Sequence, residues 1–199
     1  SKGDYYLRKI VDKYKIPFAL TWNASDLIES NHPYYIGGPG AFAERGSNFI
    51  IQNCDLYIAV GTRLPYMVTG YNAKDFARKA KKIIVDIDKI EIKKNNINPF
   101  KKICCDAKYF LKKLYNYLPK EKFVNNDWHQ YCKNIRKKYP IVLEQFRRQN
   151  KTINSYGFSA EEVRNVASSG TIKISKLTSN MNKSLKNNPG HTEYFLNLK

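Results

Sequence analysis

Two nearly continuous apolar runs constrain the fold of this 199-residue chain more than any other feature. Asp55-Leu56-Tyr57-Ile58-Ala59-Val60 is stopped by Gly61, and Lys82-Ile83-Ile84-Val85-Asp86 is stopped by acids. A strand with one wet face alternates apolar and polar residues. These runs do not, so they fit strands buried on both faces, as in a parallel sheet covered by helices. Flanking segments supply the helices. Residues 4–14 place Tyr6, Leu7, Ile10, Val11 and Tyr14 on one side, and residues 107–118 place Phe110, Leu111, Leu114, Tyr117 and Leu118 on another. Residues 41–53, Ala73–Ala80 and Lys89–Lys94 also read as helical, whereas 17–20 and Lys102–Cys105 read as strands. Residues 21–40, with His-Pro and Gly-Gly-Pro-Gly, have the chemistry of a loop. Strand and helix in alternation predict an α/β fold: a Rossmann-like doubly wound, mostly parallel sheet flanked by helices, over residues 1–119.

Beyond the sheet the pattern weakens. Pro119 and Asn125-Asn126-Asp127 mark a boundary. Residues 120–152 read as a basic helical linker, interrupted at Pro140, with Trp128, Cys132, Ile135 and Tyr139 on one stripe. Residues 153–199 form a poorly patterned tail in which order is weakly encoded. Composition excludes several classes: a 42% hydrophobic share with 26% charge is globular rather than disordered, and no apolar run is long enough to span a membrane. The first residues lack the apolar core of a signal peptide, so a cytoplasmic setting is expected. Net charge is +18, of which +13 falls in residues 101–199. A polyanion-binding module is therefore an alternative, although Lys outnumbers Arg and nucleic acid is not the expected partner. Cys54, Cys104, Cys105 and Cys132 have no metal-ligand spacing. Zinc and a disulfide framework are not expected.

Ligands of open α/β sheets sit beyond the carboxyl ends of the strands. Three such ends carry suggestive residues. Gly61-Thr62-Arg63 combines a glycine that admits a close backbone approach with an arginine that pairs phosphate. Asp86-Ile87-Asp88 puts acids where nucleotide folds bond ribose or adenine, and Asp106 directly precedes a helix. Together these suit an adenine nucleotide. Each also has a plainer reading: Gly61 ends a strand, Arg63 is a solvated loop residue, and Asp88 and Asp106 cap helices. The Gly37–Gly40 run is neither GxGxxG nor a P-loop, and His32, His129 and His191 form no catalytic set. A free-standing nucleotide-binding domain is thus a further alternative.

An ordered series of segments is more specific. Ile16-Pro17, Thr21-Trp22-Asn23, His32-Pro33, Ile36-Gly37, Gln52-Asn53-Cys54-Asp55-Leu56, Gly61-Thr62-Arg63-Leu64, Thr69-Gly70-Tyr71-Asn72, Phe76-Ala77-Arg78-Lys79-Ala80-Lys81 and Val85-Asp86-Ile87-Asp88 resemble one family throughout. It is the central domain of thiamine-diphosphate-dependent enzymes of the acetolactate synthase large-subunit type. The resemblance spans roughly residues 4–118 and continues more weakly through Trp128, Tyr139-Pro140 and Ile153–Tyr156.

The resemblance implies a three-domain transferase whose outer domains, from two subunits, hold thiamine diphosphate and magnesium. The central domain is a six-stranded Rossmann-like sheet that stabilises a dimer or tetramer and, in acetolactate synthases, holds FAD. By resemblance Gly61 and Arg63 lie near the diphosphate, Asp86, Ile87 and Asp106 near ribose and adenine, and Thr21, Trp22 and Asn23 nearer the flavin. The implied chemistry is decarboxylation of a 2-oxo acid and addition to an acceptor carbonyl, with the cofactor as electron sink. This chain has no Gly-Asp-Gly metal motif, and Cys105 and Gly38 stand where relatives carry glycine and arginine. The family's opening strand is expected just ahead of residue 1. The expectation is a fragment: a central domain (1–119), a linker (120–152) and the degraded start of the catalytic cofactor domain (153–199). It would depend on the outer domains as partners, hold no catalytic or metal-ligating residue, and be inactive alone.

Overall fold

The structure, a computed structural model, describes residues 2–41, 44–94, 96–121 and 125–144. The chain divides into two compact units, Ser1–Pro140 and Ile141–Lys199. Only residues 141–144 of the second lie among those described, so the expected tail falls outside them. The first unit runs α1 (Asp4–Tyr14), β1 (Phe18–Ala19), β2 (Tyr35–Gly37), α2 (Arg45–Asn53), β3 (Leu56–Val60), α3 (Tyr66–Thr69), β4 (Lys81–Asp86), α4 (Lys89–Lys94), β5 (Lys101–Cys104), α5 (Ala107–Tyr117) and α6 (Asn126–Lys138). No helix among the described residues is long and apolar enough to cross a membrane.

Every strand pairing is parallel. β1 pairs with β2, while β3, β4 and β5 form a second ladder in that order. β4 is the central strand. Val60 and Val85 are partners, as are Asp86 and Cys104. Successive side chains of a strand point to opposite faces. Ala59 and Ile84 accordingly join the cluster of Ile36, Ile50, Ile51, Ile92 and Cys132, built with α2, α4 and α6. Val60 meets α1 and α5 through Ile10, Tyr14 and Leu111. Covering by helices on both faces explains why the strands read as unbroken apolar runs. The face of β3 that bears Leu56 is less complete: Leu56 is 51% exposed, and among the described residues nothing pairs with the second edge of β3.

The helices are tied down by specific polar contacts. Tyr14 donates its hydroxyl to the Pro119 carbonyl at 2.7 Å, holding α1 to the end of α5. Asn125 accepts from the Trp128 N–H at 3.0 Å and caps α6. The α6 stripe read from sequence packs on α2: Cys132 is buried, Phe49 lies 4.7 Å from the Tyr139 ring, and Arg45 sits over that ring. The amide of Gly46 runs so close to the last turn of α6 that an added Cβ would lie 3.4 Å from the Tyr139 carbonyl.

Three expectations need correcting. Residues 21–40 contain β2, whose three residues are too few to show a period. Ala73–Ala80 holds a single 3-10 turn, Ala73–Asp75, and not a helix. The expected strand over Lys102–Cys105 lies one residue earlier, at Lys101–Cys104. The second of these has a local cause. Ala77 is fully buried with φ +44, a left-handed conformation that no right-handed helix tolerates. Lys82, in β4 and only 5% exposed, donates its ammonium to the Phe76 carbonyl at 3.2 Å and the Ala77 carbonyl at 3.1 Å. A buried charge thus holds the strained turn in place. Lys82→Met would orphan both carbonyls and is expected to lower stability by about 3 kcal/mol, the scale of a lost hydrogen bond to a charged group. The drop in urea midpoint at unchanged slope measures it.

Candidate functional site

Parallel pairing fixes which residues emerge together. Gly61 follows Val60, whose partner is Val85, and its N–H donates to the Val85 carbonyl at 2.8 Å. On the other side of β4, the Cys105 N–H donates to the Asp86 carbonyl at 3.0 Å. Gly61–Arg63, Asp86–Asp88 and Cys105–Asp106 therefore leave the sheet side by side along its carboxyl edge.

The first of these turns is strained. Gly61 has φ +62, and an added Cβ would meet only the Ala107 Cβ, at 3.9 Å, so backbone conformation rather than space requires glycine. Arg63 and Leu64 both have φ +46, and the Leu64 N–H closes a tight turn on the Thr62 carbonyl. Two such residues in succession cost on the order of 1–3 kcal/mol each. Arg63 is exposed and has no ion-pair partner among the described residues, while the buried hydroxyl of Thr62 has no hydrogen-bond partner.

The acids have local duties as well. Asp86 is 8% exposed and accepts from the Asp88 N–H at 2.9 Å, while Asp88 accepts from the Ile90 N–H at 2.8 Å and starts α4. Ile87 between them is 70% exposed. Asp106 accepts from the Tyr109 N–H at 3.0 Å, the expected N-cap of α5. Each capping carboxylate uses one oxygen in these bonds. Burial, then Cys104 and Asp106, pushes the Cys105 thiol up.

Thr21, Trp22 and Asn23 stand apart. They follow β1 on the two-stranded ladder, Trp22 and Asn23 exposed, and no hydrogen bond joins them to the other three tips among the described residues. Their neighbour is the glycine loop, where a Cβ on Gly38 would lie 3.4 Å from the Leu20 carbonyl.

That loop is more organised than its sequence suggested. Gly37 has φ +103, and the Glu44 carboxylate occupies the place of a Cβ. Glu44 accepts from the Gly38 N–H at 3.2 Å, and Asn48 brackets Gly40, accepting from its N–H and donating to its carbonyl. Burial raises the Glu44 pKa above the usual carboxylate value, opposed by the Gly38 N–H and Arg136. The Ala41 N–H donates to the Met67 carbonyl at 2.7 Å, fastening the loop to α3, just beyond the Arg63 turn. Sequence reasoning gave Thr62 no role of its own and passed over Glu44, Asn48 and α3. The available signal was Glu44 and Asn48, spaced by one helical turn behind a run of glycines.

The edge thus brings together a glycine turn, a guanidinium without an ion pair among the described residues, and carboxylates on the neighbouring strand tips. Among the described residues no group of three or more His, Cys, Asp or Glu is placed to hold a metal ion.

Comparison with known proteins gives this arrangement a family. The model of the central domain of thiamine pyrophosphate enzymes matches residues 2–114. The chain belongs to that family. Its relatives include the acetolactate synthase large subunit of Cyanidium caldarium, 33% identical over 149 residues, which cover 72% of this chain and 25% of that protein. A probable acetolactate synthase large subunit of Methanococcus aeolicus is 35% identical over 125 residues, 61% of this chain and 20% of the relative. The isozyme 2 large subunit of Escherichia coli (strain K12) is 39% identical over 88 residues, 44% and 16%. The chain spans about a quarter or less of the length of these relatives.

Mutation tests the capping role of Asp106 directly. Asp106→Ala is expected to lose about 1 kcal/mol of stability, whereas Asp106→Asn, which still accepts from the Tyr109 N–H, loses only a few tenths. Urea unfolding of the two variants checks this.

Proposed function

We propose that this chain is the central, cofactor-anchoring domain of a thiamine-diphosphate-dependent, acetolactate synthase-like enzyme that decarboxylates a 2-oxo acid and joins the product to an acceptor carbonyl. The observation that carries the reading is the family match over residues 2–114, which takes in all five strands and the three tips at the sheet edge. In this reading residues 1–119 are the central domain, 120–152 a linker, and 153–199 the start of the catalytic cofactor domain. α6 stays docked on α2 within the first compact unit. Thiamine diphosphate and magnesium belong to outer domains of the full enzyme, a cytoplasmic homo-oligomer, and there supply the electron sink for the reaction.

The chain's own contribution is at the rim. Arg63 is the cation for a diphosphate, and Gly61 lets that group approach the backbone. Asp86 and Asp106 offer carboxylate oxygens to ribose and adenine, and exposed Ile87 gives the base an apolar surface. Thr21, Trp22 and Asn23, across the glycine loop, are the residues for the flavin end of FAD. Three observations support the fit: the unpaired Arg63, the open space over Gly61 and the orphan hydroxyl of Thr62.

Titration with FAD and with ADP, followed by thermal unfolding, tests the reading. Each is expected to stabilise the chain, by about 2.7 kcal/mol at a hundredfold excess over Kd. Arg63→Ala should remove most of that shift without changing the stability of the free chain, since among the described residues Arg63 makes no ion pair to lose. No stabilisation by either ligand would defeat the assignment of the rim. Pyruvate turnover by the 199-residue chain with thiamine diphosphate and magnesium would defeat the assignment to the central domain.

A further inference from the structure

A cavity of about 150 Å3 lies at the amino ends of β1 and β2. Its walls come from the segments that lead into β1 and β2, at Pro17 and Pro33–Ile36, and from one face of α6. A cavity of this order holds a small organic molecule such as a short aliphatic acid. Its inner members are apolar. Ile36 and Cys132 are both buried, and burial pushes the Cys132 thiol up to about 12, so it remains a neutral sulfur.

The charge of the lining is one-sided. His129, Lys133 and Arg136 succeed one another at i, i+4 and i+7 on α6, and among the described residues no carboxylate lines the cavity. Two of the three are held in place. The Arg136 guanidinium donates to the Tyr35 carbonyl at 2.6 Å and lies over the Tyr35 ring. His129 has Nε2 against the Lys15 carbonyl, which only accepts, so that nitrogen carries a proton, and its ring packs 5.1 Å from Tyr34. Lys133 is exposed at the mouth with no ion pair or hydrogen bond among the described residues. Glu44 acts on Arg136 electrostatically but makes no ion pair with it among the described residues.

We propose that this cavity binds a small aliphatic carboxylate, its apolar end against Ile36 and Cys132 and its carboxylate between Lys133 and Arg136. An apolar interior with a cationic mouth favours such a molecule over both a neutral hydrocarbon and a bare inorganic anion. Because the walls belong to both the sheet and α6, occupancy also fastens α6 to the strands. The site is independent of the rim and requires no nucleotide.

The test uses the whole 199-residue chain with sodium chloride replaced stepwise by sodium butyrate at constant ionic strength. Sodium phosphate serves as the second arm. Thermal midpoint and the ring resonances of His129 are followed. Butyrate is expected to raise the midpoint along a saturating curve and to shift the His129 signal with the same half-point. Lys133→Gln should weaken that half-point about tenfold, the cost of one charge-assisted bond, and leave the ligand-free midpoint unchanged. Arg63→Ala should leave the butyrate curve as it is. A linear rise shared by Lys133→Gln, or an unmoved His129 signal, overturns the proposal. Equal curves for butyrate and phosphate also overturn it, since the apolar interior would then play no part.

Discussion

The structure depends on the position of β4. It is the strand with parallel partners on both sides, and its register with β3 and β5 sets where three separate turns leave the sheet. Shifting either ladder by one residue would reverse which side chains face the helices and misalign the tips. The hydrogen bonds of Gly61 to Val85 and of Cys105 to Asp86 carry the ladder one step past the strands, so the rim is an extension of the sheet rather than a set of free loops. Lys82 belongs to the same strand. Its largely buried ammonium secures the turn that delivers the chain into β4.

A fold held this firmly tolerates local strain. Arg63 and Leu64 sit in a conformation that L residues avoid, next to a buried hydroxyl without a partner, while the glycine loop opposite is fastened through Glu44, Asn48 and Met67. Strain of this kind collects where a backbone has a task other than packing. Plain capping explains Asp88 and much of Asp106, but it does not explain why an unpaired arginine occupies a left-handed turn beside them.

Much of this was legible in the chain. The runs Leu56–Val60 and Ile83–Asp86 announce strands by their lack of alternation; burial on both faces accounts for it in β4, whereas Leu56 and Ile58 of β3 stay exposed, and α1 and α5 show a clean apolar face. Asp106 announces its helix by chemistry alone. Short elements were not legible: β2 is held by pairing with β1, and its three residues carry no period of their own. The turn at Ala73–Ala80 reads as helix because alanine and lysine favour one, yet a tertiary contact from Lys82 overrides that preference. At the rim, the positions of Gly61, Asp86 and Asp106 followed from the general rule for parallel sheets. The separation of Thr21–Asn23 onto another ladder did not, since residues without strand neighbours carry no register.

The proposed function reduces to one physical claim, that the carboxyl edge of β3, β4 and β5 receives an adenine nucleotide. Amide shift mapping by NMR with ADP tests it most directly. The account predicts that the largest shifts fall at Gly61–Arg63, Asp86–Asp88 and Cys105–Ala107, with the amino ends of the strands unmoved. Shifts spread over the lysines of α5 and α6, with those nine amides unchanged, would contradict it.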